Sequence, residues 1–213
     1  MILYRPIDGD VNVAKIVYRP KTCFTMTQLG DPIPENIIKI RVHLNRIFQR
    51  HNINIIDANT VVTGRDFLMK IWNMLLSVPL GVAIIDKDMT QQTFANIFYE
   101  VGMLQAYGKE TLVIKTKDTK VPSDFVRTEY IEFNDDFEQR VNKFIKSFFE
   151  QAEHYEMMAD LVENNPLLAI DHLRRAYLIS GDDNMSVKAQ KIFDSAALED
   201  RARNSVEELL KNF

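Results

Sequence analysis

Hydrophobic and polar positions alternate between short apolar runs and longer helical periods up to about residue 133, and follow helical periods alone after that. The most apolar run is Leu80-Gly81-Val82-Ala83-Ile84-Ile85, which ends in Asp86. A run of that length between polar residues is what a strand buried on both faces of a parallel sheet requires. Polar, threonine-rich Lys87 to Ala95 reads as a loop. Asn96 then reads as the N-cap of a helix that is apolar at Ile97, Phe98, Val101 and Leu104 and is stopped by Gly108. Thr111-Leu112-Val113-Ile114 is the next strand, so this stretch predicts one β-α-β unit with a right-handed crossover.

The same alternation extends upstream. Cys23-Phe24-Thr25-Met26 predicts a first strand, Thr27 to Pro32 its exit loop, and Pro34 to about Gln49 a helix apolar at Ile37, Ile38, Val42, Leu44 and Phe48. Asn54 to Asp57 predicts a second strand. Gly64 to Leu76 predicts a second helix whose stripe, Phe67, Leu68, Ile71, Trp72 and Leu75, makes Trp72 a core residue. Residues 1–20 carry apolar runs on either side of Asp8-Gly9-Asp10 and read as an added β-hairpin. Helices are expected from Phe137 to about Gln151, from Leu167 to Ser180 between Asn165-Pro166 and Gly181, and over about 185–197 and 198–213. The organisation predicted is a hairpin (1–20), an α/β domain (21–134) and a helical appendage (135–213). The start of the Asn165-Pro166 helix resembles one helix of a tetratricopeptide pair.

Parallel sheets bind ligands beyond the carboxyl ends of their strands, which directs attention to Asp86 and the helix that follows it. With Asn96 as N-cap, Glu100 falls near the first turn, where the positive end of the helix dipole favours its ionised form. It is there either a reactive carboxylate or an ordinary solvated helix former. Asp86 and Asp88 are candidates for a second carboxylate that positions a sugar or tunes Glu100, and Asp86 equally for a turn cap. Gly64-Arg65 at a helix start suits a phosphate or carboxylate, or is a plain capped and solvated turn.

Composition narrows the classes. In 213 residues, 46% hydrophobic and 10% aromatic content excludes wholesale disorder. The net charge is -4, with no lysine or arginine cluster, so no nucleic-acid footprint is expected. From Asp135 onward there are 10 basic and 16 acidic residues, which leaves the front slightly positive and suited to an anionic small ligand. No stretch reaches the ~20 consecutive apolar residues of a membrane span, and no secretory apolar core opens the chain. With a single cysteine, Cys23, inside an apolar run, the expected location is the cytoplasm. His43, His51, His154 and His172 are isolated in sequence, so no metal or cofactor is expected.

Asn96-Ile97-Phe98-Tyr99-Glu100-Val101-Gly102, followed by Ala106-Tyr107-Gly108-Lys109 and Leu112-Val113-Ile114, resembles the Asn-x-x-(Phe/Tyr)-Glu-x-Gly motif. That motif is shared by nucleoside 2-deoxyribosyltransferase-like proteins and the TIR-like domains of bacterial defence effectors. Val121 to Phe125 and Glu129 to Phe133 are similar to the segment that follows in the TIR-like group. The resemblance implies a flavodoxin-like parallel sheet sandwiched by helices and chemistry at the N-glycosidic bond of a nucleotide. It puts Glu100 in the place of the catalytic carboxylate, sets the first loop, with Thr27 and Gln28, against the ribose or phosphate of the ligand, and makes NAD the favoured substrate. On position alone, Asp86 at the strand end is the candidate second catalytic residue, and Asp88 and Asn96 are candidate ligand contacts. A deoxynucleoside or its monophosphate, or a non-catalytic nucleotide-sensing module, are the alternatives. The helical tail would serve a homo-oligomer or a partner protein, and TIR-like enzymes are typically active only when assembled.

Overall fold

The computed structural model describes residues 16–59, 67–125, 130–211 and 213. Five strands form one all-parallel sheet: β1 (Thr22–Met26), β2 (Asn54–Ile56), β3 (Leu80–Ile85), β4 (Glu110–Lys115) and β5 (Tyr130–Glu132). Their order, β2-β1-β3-β4-β5, is flavodoxin-like. The two central strands explain themselves: every residue of β1 and β3 is buried, as a strand covered on both faces demands.

Alternation along the strands sorts side chains to two faces. Cys23, Leu80, Val82, Ile84, Leu112, Ile114 and Ile131 pack beneath α1 (Glu35–Arg50) and α4 (Phe137–Leu161). Phe24, Met26, Ala83, Ile85 and Val113 pack beneath α2 (Phe67–Ser77) and α3 (Gln91–Ala106). Trp72 is in this second layer with 1% of its surface exposed. At Gly81 a Cβ would lie 2.1 Å from Leu104 Cδ1, so α3 rests on β3 through the one residue small enough to let it in.

Two expectations change. The helix predicted to start at Asn96 begins at Gln91: Thr90 is the N-cap, its Oγ1 accepting from Thr93 N at 3.1 Å. The polar stretch before Asn96 is mostly the exposed first turns of that helix rather than loop. The boundary at Asp135 is not a break in packing either. Phe137, Val141, Phe144, Ile145 and Phe148 of α4 belong to the sheet's core, and α4 continues ten residues past Gln151 to bring Ala159 and Tyr155 into the core of the tail. There α5 (Pro166–Ser180), α6 (Asn184–Ser195) and α7 (Asp200–Leu210) pack on one another. Asn165 caps α5 by accepting from Leu168 N, and Gly181 ends it at φ 64°, as the sequence predicts. The hairpin predicted over 1–20 lies almost wholly outside the described residues, and no described helix is long and apolar enough to cross a membrane.

Candidate functional site

The strand order reverses between β1 and β3, so the crevice of a flavodoxin-like sheet opens where the chain leaves those two strands. Thr27 and Gln28 follow β1, Asp86 follows β3 and Thr116 follows β4. Asp86 is 1% exposed and its carboxylate is held by three donors. Thr116 Oγ1 donates to Oδ2 at 2.8 Å, Asn36 Nδ2 of α1 to the same oxygen at 3.3 Å, and Asp88 N to Oδ1 at 2.9 Å. Thr116 spends its only proton there, so Thr119, 2.9 Å away, donates to Thr116. This arrangement is an Asx-type turn cap tied to the floor of the crevice. Of the two roles open to Asp86, it corresponds to the turn-capping one.

Gln28 closes its own loop by donating Nε2 to Gly30 O at 3.1 Å and Pro32 O at 2.8 Å. Its Oε1 and Thr27 Oγ1 are buried without a hydrogen-bond partner among the described residues. Buried polar atoms are nearly always satisfied, so these two mark the polar spot of the crevice. Asp88 and Asn96 are exposed. Gly64 and Arg65 lie outside the described residues.

Glu100 has a different setting from the one its sequence position predicts. Because α3 starts at Gln91, Glu100 falls in the third turn, and the helix dipole, which fades within the first turn, no longer bears on it. It is half-buried beside Ile97, Val101 and Leu104, with no hydrogen bond or ion pair to any described residue. Desolvation alone pushes its carboxyl up to about 7. Asp86 has no part in that shift, and its side chain is bonded to α1 on the other face of the sheet from α3. The two acids therefore do not form the carboxylate pair considered for them. Near neutrality Glu100 divides between an acid able to give a proton and a carboxylate able to stabilise a cation.

Gly102, the last residue of the motif, is not required by packing: a Cβ there would meet only Phe125 Cζ, at 3.9 Å. Phe94, Phe98 and Phe125 form an aromatic row along this side of α3, with ring centroids 4.8 and 4.7 Å apart. The row is part of the core on this face of the sheet, with Phe98 buried and Phe94 and Phe125 packed against it.

A separate cleft, unforeseen in the sequence, lies at the opposite, amino-terminal ends of β3 and β4, among Lys109, Arg174, Arg175 and Tyr18. Its elements come from distant parts of the chain, and nothing in the sequence singles them out together. Among the described residues no group of three His, Cys, Asp or Glu side chains is placed to hold a metal ion. Neither a family model, nor a curated protein, nor a solved structure matches the chain.

Proposed function

We propose that this chain cleaves or transfers at the N-glycosidic bond of a nucleotide, NAD first among the substrates, with Glu100 as the carboxylate beneath the sugar. The observation that carries the reading is an acid with no protein partner among the described residues, half withdrawn from water, whose proton is poised near pH 7. The motif around it and the flavodoxin-like sheet support it. When the C1′–N bond of NAD breaks, the electron pair leaves with nicotinamide, which becomes neutral, and positive charge grows on the sugar. Ionised Glu100 stabilises that charge or closes on C1′ as an ester. Water then attacks C1′ and gives up a proton. The cationic nicotinamide ring itself favours the ionised form of Glu100 before reaction. Thr27 and Gln28 offer sugar hydroxyls oxygens that have no partner among the described residues.

The same poise favours a second substrate class. The base of a deoxynucleoside or its monophosphate leaves best when protonated, and the protonated fraction of Glu100 supplies that proton. Self-assembly through the helical tail completes the reading, supported by Met157, Leu161, Leu167 and Leu168, which are exposed at the turn between α4 and α5. A buried Cys23 suits the reducing cytoplasm.

The test is incubation of the concentrated protein with NAD and, separately, with deoxynucleosides and their monophosphates, following free base by chromatography. Release by the wild type and its loss in a folded Glu100→Gln variant are expected. Ligand-dependent thermal stabilisation without any product would replace this reading with a nucleotide-sensing module.

A further inference from the structure

The amino-end cleft is built by the end of α3 and by α5. After Ala106 the chain closes a Schellman turn, with Gly108 N donating to Gln105 O and Lys109 N to Leu104 O, both at 2.9 Å, and Gly108 at φ 64°. That turn sets Tyr107 and Lys109 over the strand ends. Lys21 N donates to Leu178 O at 2.8 Å and ties α5 against the same edge. Gly108 is needed twice over: besides its φ, a Cβ there would stand 3.2 Å from Arg175 Nη1. The cleft is half open, and about 650 Å³ of space, open solvent included, lies unfilled between its walls and the water outside.

Its charges do not balance locally. Among the described residues Asp171 alone pairs with both guanidiniums, with Arg174 and, at 3.1 Å, with Arg175 Nε. Arg174 is 8% exposed. Lys109 has no carboxylate within ion-pair distance among the described residues. Its Nζ lies 6.0 Å from the centre of the Tyr18 ring, which Arg174 also approaches, at 5.1 Å. Glu110 lines the cleft yet joins no ion pair with a described residue, and Tyr155 is engaged by Arg175 from the α4 side. Burial pushes the Lys109 amine down to about 7, aided by repulsion from Arg174 and Arg175 and opposed by Asp171. An amine in that position regains its charge when an anion joins it. Leu76, Pro79 and Leu178 give the lining its apolar part.

We infer that this cleft binds a small molecule joining one phosphate or carboxylate group to a flat apolar body, the anion resting on Lys109 and Arg175 and the body between Tyr18 and Pro79. It lies at the opposite end of the strands from the Thr27–Asp86 crevice and does not depend on Glu100.

Calorimetric titration of the full chain with phenyl phosphate, benzoate and benzyl alcohol tests this. Binding of phenyl phosphate or benzoate, whichever head group fits, is expected without binding of benzyl alcohol. Above pH 7 the binding is expected to take up a proton, seen as heat that varies with the buffer's ionisation enthalpy. Lys109→Met should bind at least about tenfold more weakly. That variant keeps the fold, since the Lys109 side chain holds no hydrogen bond or ion pair with a described residue, and Glu100→Gln should bind like the wild type. Failure of both anions to bind, equal affinity in Lys109→Met, or equal binding of benzyl alcohol would overturn the inference.

Discussion

Asp86 follows β3 and Glu100 lies on the next helix, α3, and the sequence makes them look like partners. Their surroundings are opposite. Asp86 is wholly buried and fully engaged by Thr116, Asn36 and the Asp88 amide; Glu100 is only half-buried and has no donor among the described residues. The deeper acid is thus structural, and the shallower one carries the perturbed proton. Depth of burial alone does not mark a reactive carboxyl. What marks it is desolvation without hydrogen bonds to the charged form.

Substitution should separate the two sharply. Asp86→Ala removes three hydrogen bonds and strands the buried Thr116 hydroxyl, and should cost about 3 kcal/mol of stability, read from urea unfolding; a loss below about 1 kcal/mol would place Asp86 outside the framework. Glu100→Gln should act the other way. Folding raises the Glu100 pKa from 4.5 to about 7, so its contribution is fully present below pH 4.5 and lost as pH rises to 7. The variant should therefore be more stable than the wild type by about 2 kcal/mol at pH 8, after allowance for partial exposure, and flatter across that window.

Lys109 extends the comparison to the far end of α3. Its folded pKa is depressed to about 7 from 10.5, so its burial costs stability below pH 7, and the cost fades as pH climbs toward 10.5. Lys109→Met should gain about 1 to 2 kcal/mol at pH 6, and thermal unfolding at pH 6 and pH 10 would show the gain shrinking. The smallest effect is expected at Gly102. Gly102→Ala has room for its methyl and should stabilise α3 by about 1 kcal/mol. If base release falls in that more stable variant, the glycine is there for the ligand.

Much of the fold was legible. The apolar run of β3 and the Asn165-Pro166 and Gly181 signals of α5 name their elements, because burial on both faces and helix capping act locally. The start of α3 was hidden because Gln91, Gln92 and Thr93 form exposed first turns, and the apolar period shows only from Ile97. The sequence pattern ends α4 too early because Gln151, Glu153 and His154 interrupt its stripe where the helix passes from the sheet to the tail. Glu100 could be picked out by its motif, but its electrostatics could not, since they depend on where the helix begins. The cleft around Lys109 and Arg174 had no sequence signal at all, being made by α5 folding back on strand ends far away in the chain.

What decides the proposed function is whether Glu100, an acid with no partner among the described residues, answers the charge of a breaking N-glycosidic bond. The most direct measurement is nicotinamide or free-base release by concentrated wild-type protein beside Glu100→Gln, with circular dichroism confirming both folds. Release is expected to fall by at least about a hundredfold in the variant. Undiminished release by folded Glu100→Gln would contradict it.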